Sequence, residues 1–161
     1  MDIKQTLEFI KKAHAGQKYG NRPYWTHPLQ VAEMGKSFFG SKFQDSHYRV
    51  SLLHDVVEDT KYTVDDLISL GYLKTDEEAE ALSLLSKDKR LDYKANIKRI
   101  SSSGNRIAMM IKYADNYVNF SGDKSDWDPK KKEKSQHKYA WSLNHLGTIL
   151  NVKNDFDPTG F

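Results

Sequence analysis

Apolar residues recur at spacings of three and four along almost the whole chain, the period of amphipathic helices. Ile3, Leu7 and Ile10 fall on one stripe behind Asp2, a candidate N-cap, and this helix is expected to reach about His14 or Gln17. Gly16, Gly20, Asn21 and Pro23 then mark a loop. Thr26-His27-Pro28 reads as a second helix start, with proline in the first turn, where an N–H has no helical partner to lose. Leu29, Val31, Ala32 and Met34 form its apolar side, and the pattern fades near Gly40. A third helix is predicted from about Asp45 or Ser46. It carries Val50, Leu52, Leu53, Val56 and Val57, and its end holds His54-Asp55 and Glu58-Asp59.

Thr63 with Asp66, and Thr75 with Glu78, have the spacing of capping boxes and open two short helices, the first closing at Gly71. A segment from about Asp92 to Ser101 places Tyr93, Ile97 and Ile100 on one side. Ser101-Ser102-Ser103-Gly104-Asn105 is a break of loop length, too short for a linker between domains. The helix from Arg106 to about Phe120 is apolar over Ile107 to Ile111 and should be buried. After a charged loop through Trp127, Asp128-Pro129 starts a last long helix to about Leu150. There is no repeat, no heptad array and no convincing strand. The expected fold is all-α: a single-domain helical bundle over residues 1–150, followed by a tail, 151–161, that is either loose or docked.

Composition narrows the function. The chain has 161 residues, 38% hydrophobic and 29% charged, which suits one soluble core. A net charge of +3 is too weak to argue for nucleic acid, and a small anionic substrate fits as well. The absence of cysteine excludes disulfides, thiolate metal sites and cysteine nucleophiles. No apolar stretch approaches the ~20 residues that span a bilayer, and the N-terminus lacks an apolar signal core, so a cytoplasmic location is the default expectation.

The run Leu52-Leu53-His54-Asp55-Val56-Val57-Glu58-Asp59-Thr60 concentrates ionisable groups beside apolar ones. Burying such groups without a metal or a reaction to serve is costly. His54 and Glu58 lie four residues apart, as do Asp55 and Asp59, so each pair would share a face of one helix. His27 and Asp115 complete a candidate ligand set of two imidazoles and two carboxylates, suited to a divalent ion of the manganese, iron, zinc or magnesium group. Such an ion lowers the pKa of water and holds a phosphoryl group in line. Glu58 or Asp59 could orient the attacking water or exchange its proton. Asn119, four residues beyond Asp115, offers an amide for a ribose hydroxyl or a phosphate. These residues point to a metal-dependent phosphohydrolase. Each alone also has an ordinary reading: His27 as a helix-start residue, Asp115 as a cap or a partner of Lys112, Glu58-Asp59 as a solvated helix end. The lysine-rich run 130–134 and the cluster Lys87, Lys89 and Arg90 read first as solvated charge.

The arrangement resembles HD-domain hydrolases of the RelA/SpoT type, including their short single-domain relatives. The shared elements are Ala13-His14-Ala15-Gly16-Gln17, Pro23-Tyr24, His27-Pro28, the run Leu52 to Thr60, and Lys112-Tyr113-Ala114-Asp115 with Asn119. The resemblance covers about residues 6 to 146. It implies an all-α bundle in which His27, His54, Asp55 and Asp115 bind one ion, usually manganese, Glu58 and Asp59 serve the attacking water, and Asn119 contacts the ribose. The implied reaction removes the 3′-diphosphate of guanosine tetra- or pentaphosphate as pyrophosphate. With 161 residues there is no room for a synthetase domain, so hydrolysis alone is implied.

One loop departs from the pattern. Alarmone hydrolases usually carry an Arg-Lys pair between the Gln and the Pro-Tyr, with the Arg packed on guanine. Here the loop reads Lys18-Tyr19-Gly20-Asn21-Arg22 and is about one residue shorter. Lys18, Tyr19 or Arg22 could substitute: Tyr19 could stack on a base and Lys18 could neutralise phosphate. This leaves two alternatives beside the alarmone hydrolase: a phosphatase for another nucleotide such as NADPH or a nucleoside monophosphate, and a metal-bearing nucleotide-binding sensor without turnover.

Overall fold

Asp2 caps α1 (Ile3–Ala13) reciprocally: its Oδ1 accepts from the Gln5 N–H at 2.7 Å, and the Gln5 side chain accepts from the Asp2 N–H at 3.0 Å. The computed structural model describes residues 2–152 and 155–158. α1 packs on α3 (Asp45–Leu53) and buries Ile10 completely. Between α1 and α2 (Thr26–Phe39) the structure corrects the sequence reading. Lys18–Tyr19 (β1) and Arg22–Pro23 (β2) pair antiparallel, Lys18 opposite Pro23 and Tyr19 opposite Arg22. Two residues a side are too few to show alternation, and Gly20 makes the turn at φ +62, a conformation that costs other residues more.

Apart from the predicted third helix, which divides into α3 and α4, the remaining helices follow the predicted stops and starts closely. After a 3₁₀ turn over Gly40–Lys42 come α3, α4 (Val56–Asp59), α5 (Val64–Ser69), α6 (Asp76–Leu85), α7 (Tyr93–Ser102), α8 (Arg106–Ser121) and α9 (Pro129–Leu150). The side chains of Thr63, Asp92, Asn105 and Asp128 each accept from a backbone N–H three residues on, which is why those helices begin where they do. Thr75 caps α6 in the same way, but the expected return arm is absent. The Glu78 carboxylate instead accepts from the Thr75 hydroxyl and forms a buried ion pair with Arg49 at 3.1 Å, which ties α6 to α3.

α8 is the central helix and packs against α2, α3, α6 and α9. Its predicted apolar run is buried, with Ile111, Tyr113 and Ala114 fully so, against Leu52 and Leu53 of α3 and Leu143 and Leu146 of α9 in one core. Burial of each large aliphatic side chain contributes roughly 1.5–3 kcal/mol. The described part of the tail is docked: the ring of Phe156 lies edge-on to Tyr117 and Phe120, and the Asn144 side chain donates to the Phe156 carbonyl at 3.1 Å and accepts from its N–H at 2.9 Å. Lys153, Asn154 and the last three residues of the tail lie outside the described residues.

Candidate metal centre and adjoining cavity

The acidic run does not lie on one helix. α3 stops at Leu53; Asp55, at φ −105 and ψ 0, is in the bridge region, and α4 begins only at Val56. His54 and Glu58 therefore belong to different helices, and the shared-face argument fails across the break. At the break the Ser51 carbonyl accepts from the His54 backbone N–H at 3.2 Å and from His54 Nδ1 at 2.7 Å. The latter bond places a proton on Nδ1 and turns Nε2 toward the Asp55 and Asp115 carboxylates.

Three distant segments meet at this point. His27 Nε2 lies 3.0 Å from Asp115 Oδ1, and His54 Nε2 lies 3.6 Å from the same oxygen and 3.0 Å from Asp55 Oδ2. One ligand atom from each of His27, His54 and Asp55 lies within 4.8 Å of the others, a group able to hold a metal ion. The donor set fits a divalent ion by its own chemistry. His27 Nε2 and His54 Nε2 are buried and converge on the carboxylate oxygens of Asp55 and Asp115, and two such nitrogens with carboxylate oxygens suit first-row divalent metals. Asp115 also touches Lys112 Nζ at 3.3 Å and the Asn119 amide at 3.4 Å.

The electrostatics favour positive charge at the centre. Burial works to raise Asp115, but Lys112, with hydrogen bonds from His27 and His54, holds its carboxyl well below the usual range. Burial likewise opposes ionisation of Asp55, and the neighbouring His54 brings it down to about 2. Desolvation alone would lower His54; Asp55 and Asp115 outweigh it and hold the imidazole well above its ordinary value. Lys112 is also held high, burial being overcome chiefly by Asp115. Burial, then the Asp55 charge, pushes the Tyr24 phenol up, so its hydroxyl remains a donor.

A cavity of about 220 Å³ opens beside the cluster, bounded by His54, Asp55, Glu58 and Asp115 on one side. Lys87, Lys112 and Lys138 supply cationic wall, and Tyr93, Tyr139 and Asn119 complete the rim. Lys138 Nζ lies 4.8 Å from the Tyr93 ring centroid and 4.9 Å from that of Tyr139, and desolvation, then the charge of Lys112, lowers its pKa.

The structure separates the two expected catalytic carboxylates. Glu58 lines the cavity and accepts from the Lys87 backbone N–H. Asp59 turns toward the loop after α1, where Oδ2 accepts from Gln17 Nε2 at 3.1 Å. Tyr19 stacks on His27, with centroids 4.4 Å apart and planes 26° apart, and its hydroxyl donates to Asn119 at 3.1 Å. Lys18 is exposed and lines a different groove, with His14, Gln17 and Trp25. Tyr24 and Lys138 carried no sequence assignment. Tyr24 was visible only as part of Pro23-Tyr24, and nothing local marks Lys138 as facing a cavity.

No protein-family model matches the sequence, and no curated protein is similar enough to match. The fold is the all-α HD-domain fold. Among solved structures it is similar to a metazoan ortholog of SpoT, one described as hydrolyzing ppGpp and playing a role in starvation responses. The TM-score is 0.72, at 18% identity, over 93% of this chain and 96% of that one. Among the described residues, no helix is long and apolar enough to cross a membrane.

Proposed function

We propose that the chain is a metal-dependent nucleotide phosphohydrolase, acting on guanosine 3′-diphosphate alarmones or a closely related phosphorylated nucleotide. The observation that carries this reading is the meeting of His27, His54, Asp55 and Asp115, three of which, His54, Asp55 and Asp115, line a cavity together with Lys87, Lys112 and Lys138. These four residues hold one divalent ion, with Mn²⁺ the first choice. When bound, the ion supplies a lowered water pKa and a fixed place for a phosphoryl oxygen. Glu58, facing the cavity, takes the proton of the attacking water as its oxygen bonds to the phosphorus next to the 3′ oxygen. The bond from that phosphorus to the 3′ oxygen breaks, pyrophosphate leaves, and a proton passes to the 3′ oxygen. Asp59 assists in ordering the water. Lys87, Lys112 and Lys138 offset phosphate charge, and Asn119 contacts the sugar.

A second substrate is favoured by one observation. Tyr19 and Asn119, the residues available for base and ribose, are hydrogen-bonded to each other, and Lys18 faces another groove. Recognition of guanine would need that pair to part, so NADPH belongs on the same substrate panel. The test is turnover of guanosine tetraphosphate with Mn²⁺, following pyrophosphate release. Release that depends on added ion supports the alarmone reading. Absence of release with the ion bound, and phosphate release from NADPH, moves the assignment to the second substrate.

A further inference from the structure

Asp55 lies in the break between α3 and α4, and its carboxylate makes no capping bond to α4. One contact from far away in sequence holds it instead. The Tyr24 hydroxyl donates to Asp55 Oδ2, the same oxygen that lies 3.0 Å from His54 Nε2. We propose that Tyr24 is a positioning residue for the ion, its phenol holding the Asp55 carboxylate with Oδ2 turned toward His54. This inference rests on the reading of His27, His54, Asp55 and Asp115 as a metal centre.

The phenol is itself rigidly held. The Tyr24 N–H donates to the Gln17 carbonyl at 2.9 Å, and the Tyr24 carbonyl accepts from the His27 N–H at 2.9 Å. One residue's backbone thus ties the end of the hairpin to the start of α2. The ring lies 4.8 Å from the His14 ring and 5.8 Å from that of His27, with Tyr19 edge-on at 6.2 Å. Aromatic neighbours on several sides leave the hydroxyl little freedom to swing away. A carboxylate ligand with one oxygen engaged by a fixed donor has lost its rotation before the ion arrives, so less entropy is lost on binding. Outer hydrogen-bond partners of this kind are worth about 10- to 100-fold in metal affinity.

The experiment is Mn²⁺ titration of the full chain, reading free ion by electron paramagnetic resonance, for the parent, Tyr24→Phe and Tyr48→Phe. Tyr48 makes a comparable hydroxyl–carboxylate contact with Glu33, which is not among the ligands, and controls for loss of a phenol as such. The expected result is a Kd weakened about 10- to 100-fold in Tyr24→Phe, with Tyr48→Phe matching the parent and the melting temperature of Tyr24→Phe in EDTA matching the parent as well. Equal Kd values for Tyr24→Phe and a parent that binds Mn²⁺ overturn the positioning role and leave the metal centre standing. A weaker Kd accompanied by a matching fall of melting temperature in EDTA makes the role structural and also overturns it. A parent that binds no divalent ion overturns both readings.

Discussion

Gln17 Nε2 donates to Asp59 Oδ2 at 3.1 Å, joining the loop after α1 to the last residue of α4. Gln17 Oε1 lies 2.9 Å from Nδ1 of His14, which is buried at the end of α1. The amide is thus fixed at one end and presents its N–H₂ to the carboxylate at the other. On the opposite side, the Lys87 N–H holds Glu58. Two adjacent carboxylates are anchored by different parts of the chain.

Removing the amide isolates the duty of Asp59. Gln17→Leu is expected to lower kcat about tenfold, a fraction of the ~10²–10⁴ that a positioned acid or base contributes, while KM and Mn²⁺ affinity stay near the parent values. Steady-state kinetics beside a metal titration will show it. A fall in metal affinity instead would place Asp59 among the ligands.

The ligand and the base separate by the same pair of measurements. Asp55→Ala should lose metal and activity together, because Asp55 is one of three residues whose ligand atoms converge within 4.8 Å. Glu58→Ala should keep the metal and lose roughly 10²-fold or more of the rate, since Glu58 faces the cavity without touching the cluster. Equal activity in the two variants would sink the assignment of roles.

Metal removal should make stability depend on pH at both ends. Asp55, at about 2, and Asp115, held well below its ordinary value, contribute stability that is present above about pH 4 and is lost as pH falls through their folded values. His54 has the opposite sign. Its pKa is raised, so its contribution is complete below about 6.5 and is lost as pH rises through the folded value. In EDTA the melting temperature should therefore decline on the alkaline side. Mn²⁺ should abolish that decline, because the ion replaces the His54 proton among the same carboxylates. Thermal melts across pH, with and without Mn²⁺, check this; parallel curves would count against ion binding at His54.

The packing of α2 offers a test of the fold alone. A Cβ at Gly35 would overlap the Phe43 ring, which lies directly over the helix there. Gly35 is in the middle of α2, where alanine would otherwise be the better helix former. Gly35→Ala should nevertheless destabilise the protein by about 1–3 kcal/mol through overpacking, measured by urea unfolding. A stabilised variant would mean that Phe43 moves aside freely.

Most helix limits and the residue types of the candidate ligands were legible in the sequence. Asp2, Thr63, Asp92, Asn105 and Asp128 cap helices through bonds to residues three positions on, and such bonds are written locally. The apolar period marks α8 as buried, and the residue types of His27, His54, Asp55 and Asp115 make them candidates for one ion. Tertiary structure decided what those side chains do to one another. The helix breaks at His54-Asp55, where the Ser51 carbonyl accepts from the His54 ring, whereas the 3.6-residue period runs unbroken to Val57. Tyr24 reaches Asp55 across 31 residues, Gln17 reaches Asp59 across 42, and Tyr19 reaches Asn119 across 100. No local pattern encodes such meetings; they exist because α2, α3 and α8 pack into one core and bring the chain segments attached to them to one side of it.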